Sequence, residues 1–430
     1  MLPMTNIKSK KYAFLVFLLM SLSFSVWALF PQKAKTLAVK TYPYKPIDSV
    51  YRFIKYKENN ILLEDKIAAN LFFTKLDSLR AGLKNKVSIL HLGDSHIQAD
   101  FLSGKIRQLF QNDNEFGDGG HGLAFPYNIT KTNNPTWYKS TYTGTWQSTR
   151  INKPSCESEC GINGAEALTY DKKANFTVNV CAYDGHCRTF NKVKIFGYIP
   201  DSNLFELKIT AKSDTTFYIK SIEVDSVLHV TEYTLSEAVS SATFSLVKKL
   251  ATQNKFIFTG LSLENEDRGI VYHSVGLNGA TAGTFIKSNK LINQTASLSP
   301  DLIIISLGTN DAFSSYFSKE TFEYNLSALV EKLHVANPKT FIIITTPGDS
   351  FRKGKANPNY AITSKTIKEI AHAYGCGVWD FYKVMGGANS IAKWYKKELC
   401  QADRLHLTRK GYELQANLLF DALMKCYVEE

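Results

Sequence analysis

Residues 86–101 read KVSILHLGDSHIQADF. The run from Val87 to Leu92 is apolar over the length of a buried strand, and it stops at Gly93-Asp94-Ser95-His96 before apolar residues return at Phe101, Leu102, Ile106, Leu109 and Phe110. These later positions share one helical face, so a strand turns into a helix here and Ser95 stands at the turn. A hydroxyl at a helix N-terminus lies beside free N–H groups and a dipole that favour developing negative charge. Serine and aspartate are also good N-caps, and the turn taken alone reads first as a cap of a helix over residues 99–111.

Outward from this turn the pattern is that of an α/β protein. Upstream, KIAANLFFTKLDSLRAGLKNK places Ile67, Leu71, Phe72, Leu76 and Leu79 at helical spacing, giving an amphipathic helix that ends near Gly82. Downstream, the apolar runs RGIVYHSV, DLIIISLG, TFIIITTP and GVWDF alternate with helical segments such as TFEYNLSALVEKLH and SKTIKEIAHAYG. Strands interleaved with helices imply a mainly parallel sheet covered on both faces. Between Pro126 and Asn265 the texture changes to NFTVNV, NKVKIFGYI, LFELKITA, TFYIKSIEV and KFIFTGLSL, which read as an all-β insert, most simply a sandwich. The organisation expected is an α/β domain over residues 67–125 and 266–430 interrupted by a β domain over 126–265.

The N-terminus carries Lys8, Lys10 and Lys11 before AFLVFLLMSLSFSVWALF, with Ala28 as a small cleavage position. Residues 1–28 therefore read as an export signal or, uncleaved, an N-terminal anchor, the one route to a membrane expected here. Residues 29–66 are expected to act as a tether, beginning with the aperiodic PQKAKTLAVKTYPYKP. Export suits the seven cysteines. Cys156, Cys160, Cys181 and Cys187 cluster in the insert, and with His186 they invite a zinc reading, but no CxxC pair is present and disulfides are the expectation; no metal or other cofactor is expected. The net charge of +12 points to an anionic partner, and export excludes nucleic acid, which leaves an envelope polymer or a membrane surface. A solvated basic surface without a partner is the plain alternative.

Four polar clusters sit at strand ends or before the last helix: GDS at 93–95, GLNGAT at 276–281, GTND at 308–311 and ADRLHL at 402–407. Chemistry assigns them roles. Ser95 is the candidate nucleophile, His406 its base, and Asp403, three residues before the histidine, the acid that fixes the imidazole tautomer. An oxyanion needs donors, and the backbone N–H groups of Ser95 and Gly279 with the side-chain amide of Asn310 are the candidates. For Gly276 and Gly279 a bare turn is an equal reading from the residues alone.

In these four ordered blocks the chain resembles the SGNH, or GDSL-type, hydrolases. The resemblance implies a flavodoxin-like three-layer α/β/α fold, Ser95 as nucleophile, Gly279 and Asn310 in the oxyanion hole, and Asp403 with His406 completing the triad. His96 stands where the family commonly has leucine. This GDSH form with a β insert after the first block is similar to bacterial peptidoglycan O-acetylesterases, in which the insert resembles a carbohydrate-binding module. It implies an exported or periplasmic esterase acting on an acetylated envelope glycan. An O-acetyltransferase, an esterase for another acetylated polysaccharide and a non-catalytic glycan-binding protein are the other readings.

Contacts with substrate are expected from His96 and from Arg352, which lies in GDSFRKGKANPNY after a strand end; a neighbouring-loop contact for His96 and a solvated loop for Arg352 are the alternatives. Residues 339–413 hold 13 Lys or Arg against 6 Asp or Glu. Trp137, Tyr138, Tyr142 and Trp146 at the start of the insert read as core packing or as sugar-stacking surfaces.

Overall fold

The computed structural model describes residues 41–153, 160–181, 187–211 and 217–430. The expected export segment, Cys156 and His186 lie outside the described residues. At the centre is a six-stranded sheet of β1 (Ile61–Leu63), β2 (Lys86–Gly93), β3 (Gly269–Gly276), β4 (Leu302–Ser306), β5 (Phe341–Thr345) and β6 (Gly377–Trp379), in the order β1-β6-β5-β4-β2-β3. All neighbours pair in parallel except β1, which runs antiparallel along β6. Taking the parallel strands in chain order, the arrangement is 2-1-3-4-5, the flavodoxin-like winding whose direction reverses between β2 and β4. Alternation divides the core in two. Leu90, Leu92, Ile303 and Ile305 face the helices Lys319–Ala336 and Asn359–Tyr374, while Val87, Ile89, Leu302 and Ile304 face Lys66–Arg80, Phe101–Gln111 and Arg409–Glu429.

The first helix spans Lys66–Arg80, with the Asp65 carboxylate accepting N–H bonds from Ile67 and Ala68. Its buried stripe is Ala69, Phe72, Phe73, Leu76 and Leu79, whereas Ile67 is 75% and Leu71 43% exposed. The sequence pattern had included both exposed residues. Ile67 precedes Phe72 by five positions, roughly 140° around the helix axis, and so cannot share its face.

Residues 41–66 are not a free tether. Tyr42 donates to Asp113 at 2.6 Å, and Tyr44 and the Ile47 N–H both donate to Asp421 at 2.8 and 2.9 Å. Asn59, only 2% exposed, donates to the Leu418 carbonyl and to Asp421, each at 2.9 Å, and accepts the Trp379 indole N–H at 2.9 Å. The aromatic residues Tyr42, Tyr44, Tyr51, Phe53 and Tyr56 pack on the core, which is why this lysine- and proline-rich segment straps the domain and ends as the edge strand β1.

The insert is built of antiparallel sheets in a sandwich-like arrangement. One has five strands, Ile219–Asp225, Val230–Val239, Phe190–Phe196, Gly260–Glu264 and Gly120–Ala124; another has four, Lys139–Thr143, Asn175–Asn179, Ser241–Val247 and Glu206–Ala211. Gly120–Ala124 pairs with Gly260–Glu264, so the β region begins in sequence assigned to the α/β part, before Pro126. Phe176 stacks between Phe244 and Phe258, with ring centroids at 4.8 and 4.9 Å. Trp137 and Tyr138 are buried and Trp146 packs on the same core, which makes these three structural; Tyr142 is 38% exposed. Cys181 and Cys187 form a disulfide, which removes both from any zinc set. Cys376, Cys400 and Cys426 are buried thiols.

Asn59→Ala is expected to leave the buried Trp379 N–H without a partner, costing about 1–3 kcal/mol. Urea unfolding measures this, and an unchanged midpoint would mean that the strap adds nothing to stability.

Candidate active site

Strand β2 ends at Gly93, opposite Ser306 of β4, at the point where the winding reverses. A Cβ on Gly93 would lie 2.2 Å from Ile97 and 2.9 Å from the Ser306 carbonyl, so only glycine lets the chain turn out of the sheet here. Ser95 then opens a one-turn helix, Ser95–Gln98, capped by Asp94, whose carboxylate accepts the His96 N–H at 2.9 Å. Asp100 then takes φ +58°, and the helix expected from the apolar spacing beyond Ser95 runs Phe101–Gln111. The break is held by a buried ion pair, Arg107 to Asp100 at 3.1 Å, with Ser103 donating to the same carboxylate at 2.6 Å.

Ser95 Oγ lies 3.1 Å from His406 Nε2, and His406 Nδ1 lies 2.7 Å from Asp403 Oδ2. These residues are 311 positions apart in sequence at the serine–histidine step and three at the histidine–aspartate step. Asp403 Oδ1 accepts the backbone N–H groups of Leu405 and His406 at 2.9 and 3.0 Å, and Arg404 adopts φ +54°, so the loop is wound tightly around the carboxylate. Burial raises the Asp403 pKa, but the His406 hydrogen bond and the two backbone donors outweigh it and hold the carboxyl below its usual range. The carboxylate is thus ionised and fixes Nδ1 as the protonated nitrogen, leaving Nε2 to accept from the serine.

The Gly279 loop is pinned on both sides. The Asn278 N–H donates to Gln98 Oε1 at 2.5 Å, its carbonyl accepts from Asn152 at 2.8 Å, and its side chain donates to Asn133 at 3.1 Å. On the other side the Asn310 amide donates to the Ala280 carbonyl at 2.8 Å, and Asp311 accepts the Ala282 N–H at 3.1 Å. Between them Gly279 is exposed at φ +77°, with no atom within 4 Å of where a Cβ would stand. An Asn amide carries two N–H donors, so the bond to Ala280 leaves Asn310 one for a ligand. Burial pushes the carboxyls of Asp94 and Asp311 up to about 6. Sequence reasoning missed Gln98, Asn133, Asn152 and Asn278. Two of them lie in the insert, and only Asn278, beside a block glycine, carried any local signal.

His96, an expected substrate contact, is half-buried and also bonds a neighbouring helix. Its Nδ1 is 2.9 Å from the Tyr412 hydroxyl, its Nε2 is buried, and its ring stacks on His406 with centroids 5.2 Å apart. Burial, reinforced by His406, lowers its pKa to about 3, so it is neutral. Arg352 lies with its guanidinium 5.9 Å over the Phe313 ring, in the short helix that also carries Asn310.

Residues 251–414 match the model of the GDSL-like lipase/acylhydrolase family. This part of the chain is similar to the GDSL-like acylhydrolases. The matched stretch holds Gly279, Asn310, Asp403 and His406 but not Ser95, which the insert separates from the rest of the domain. A search of curated proteins gave no significant match. Among solved structures, the acylhydrolase fold and the insert together resemble a peptidoglycan O-acetylesterase at 21% identity, with a TM-score of 0.68 over 86% of this chain and 99% of that one. A lipase/acylhydrolase from Enterococcus faecalis is 23% identical over 37% of this chain and 77% of its own, with a TM-score of 0.31. An acetylxylan esterase from Geobacillus stearothermophilus is 20% identical over 36% of this chain and 73% of its own, with a TM-score of 0.29.

A histidine whose folded pKa lies below its unfolded value contributes stability above the unfolded pKa of about 6.5, and that contribution is lost as pH falls toward 3. His96→Gln removes this term. Its stability relative to the parent is expected to improve by about 2 kcal/mol between pH 7 and pH 5, read from denaturant unfolding at each pH; parallel curves would overturn the neutral assignment.

Proposed function

We propose that this protein is an exported serine esterase that removes O-linked acetyl groups from a cell-envelope glycan, and that the glycan is peptidoglycan. The observation that carries the chemistry is the Ser95–His406–Asp403 relay at the reversal point of the sheet, with distances of 3.1 and 2.7 Å. The substrate reading is supported by a fold likeness to a peptidoglycan O-acetylesterase that covers 86% of the chain, too much to omit the insert. The basic N-terminal segment and apolar run, and the disulfide at Cys181–Cys187, support export.

In this mechanism Ser95 Oγ attacks the acetyl carbonyl as its proton passes to His406 Nε2. Asp403 steadies the imidazolium. The N–H groups of Ser95 and Gly279 and the second amide hydrogen of Asn310 stabilise the oxyanion. His406 then returns the proton to the departing sugar oxygen, and water, deprotonated by the same histidine, clears the acetyl-enzyme. The remaining basic charge draws the enzyme to an anionic polymer.

Ser95→Ala and His406→Ala are each expected to abolish acetate release from O-acetylated peptidoglycan while leaving circular dichroism and the unfolding midpoint unchanged. Undiminished release by Ser95→Ala would sink the mechanism, and release only from acetylated xylan would redirect the substrate. Asn152→Ala removes one of the bonds holding Asn278 and loosens the oxyanion loop. A fall in kcat of about tenfold with KM nearly constant is expected; a change in KM alone would make Asn152 a substrate contact instead.

A further inference from the structure

The loop after β5 ends in a short hairpin, Phe351–Arg352 paired with Lys355–Ala356, whose tip residues Lys353 and Gly354 take φ +51° and +77°. Two left-handed residues in succession are the mark of a tight two-residue hairpin turn. The hairpin is fastened to both halves of the site. The Phe351 N–H donates to the Arg404 carbonyl at 3.0 Å, inside the loop that holds Asp403 and His406. Asn357 and Asn359 donate to the Ala312 carbonyl at 2.8 and 3.0 Å, in the helix that holds Asn310. Asn310 and Phe313 are three residues apart on that helix and share a face, and Arg352 lies over Phe313.

The charges on this hairpin are uncompensated. Arg352 and Lys355 are direct cross-strand partners, so two cations stand side by side, an arrangement that is unfavourable by itself. Lys353 and Lys355 are exposed. Arg404, next to them through the Phe351 bond, has its guanidinium stacked on Tyr395. Among the described residues none of these four cations forms an ion pair with a carboxylate, although pairs such as Lys368–Asp380 at 2.8 Å and Lys319–Glu369 at 3.0 Å occur on nearby helices. The two arginines are held by aromatic rings, which orients a planar donor fork without consuming its hydrogen bonds.

We propose that Arg352, Lys353, Lys355 and Arg404 form a cationic lip beside Ser95 that holds the carboxylate groups of an anionic glycan strand. The choice of ligand rests on the peptidoglycan reading above, since that polymer carries carboxylates on its sugar and peptide parts. Arg352 supplies the bidentate contact and the lysines a diffuse attraction. The lip selects the substrate; the acyl chemistry remains with the residues behind it.

The test is equilibrium binding to the full chain of two probes, a disaccharide of N-acetylglucosamine and N-acetylmuramic acid with a free carboxylate, and the same disaccharide with that carboxyl as its methyl ester. The free acid is expected to bind about tenfold more tightly than the ester, with the difference shrinking as salt rises. Arg352→Gln is expected to erase most of this preference. Arg352→Lys, which keeps the charge but not the fork, should restore only part of it. Equal binding of acid and ester by the parent protein, binding of neither, or an Arg352→Gln protein that still prefers the acid would overturn the lip. Acetate release from O-acetylated peptidoglycan, measured on the same preparations, separates the two ideas. Charge-selective binding without acetate release would leave the lip standing and remove the esterase reading, and release without charge selectivity would do the reverse.

Discussion

Strand β2 is paired in parallel on both edges, with β3 and β4, and the rest of the site depends on how it ends. Its backbone groups are committed along the sheet, so the chain can be freed for chemistry only beyond the last pair, Gly93 with Gly276 and Ser306. Glycine at both ends of the β2–β3 pair is a packing requirement, since a Cβ on Gly276 would lie 1.9 Å from the Gln98 N–H nitrogen. That crowding brings the Ser95 helix down onto the strand ends and puts Gln98 in reach of Asn278. Beneath it, a chain of hydrogen bonds crosses the sheet from Tyr272 through His91 and Ser306 to Thr345, at 2.7, 2.7 and 2.8 Å. Buried polar groups satisfied in this way fix the relative height of the strands whose ends carry the site.

The parts of this arrangement that were legible in the sequence are those governed by local pattern. The apolar runs at β2 to β6 are buried on both faces and read as continuous stretches, and the polar clusters that follow them interrupt the pattern abruptly. Ser95, Asp403 and His406 stood out because each lies at such an interruption. Asp403 and His406 also carry their own geometry, as a three-residue spacing lets one turn satisfy a carboxylate and an imidazole together. What was illegible depends on contacts between distant segments. Nothing in PQKAKTLAVKTYPYKP announces that Tyr44 will meet Asp421, because the partner lies 377 residues away. Ile67 and Leu71 misled for the opposite reason: they are apolar, but the helix turns them outward, and exposed apolar side chains are ordinary on a folded surface.

The insert changes what the α/β domain can be by itself. It interrupts the chain between the serine block and the remaining three, yet Asn133 and Asn152 return from it to hold Asn278. Its core is continuous with one face of the central sheet, with Leu90 and Ile303 in the same cluster as Phe176 and Phe258. An independent domain ordinarily has a core of its own and joins its neighbour through an exposed linker. This one shares its core and braces the loop of a proposed oxyanion donor, so its removal would expose apolar surface and loosen that loop at once.

The histidine after the nucleophile illustrates how burial makes an unusual residue compatible with the chemistry proposed for its neighbour. A cationic His96 stacked 5.2 Å from His406 would oppose the uptake of a proton by that ring, and at such a separation in a partly desolvated site the penalty would be large. Burial of the ring, with Nε2 sealed from water, and the neighbouring His406 hold the charge off, while Nδ1 rests 2.9 Å from the Tyr412 hydroxyl. Neutral, the same ring becomes a flat surface against which the His406 imidazole rests while Asp403 holds its far nitrogen. Position 96 thus restrains His406 from the side while Asp403 restrains it from behind, and a leucine there would supply contact without the directional bond to Tyr412.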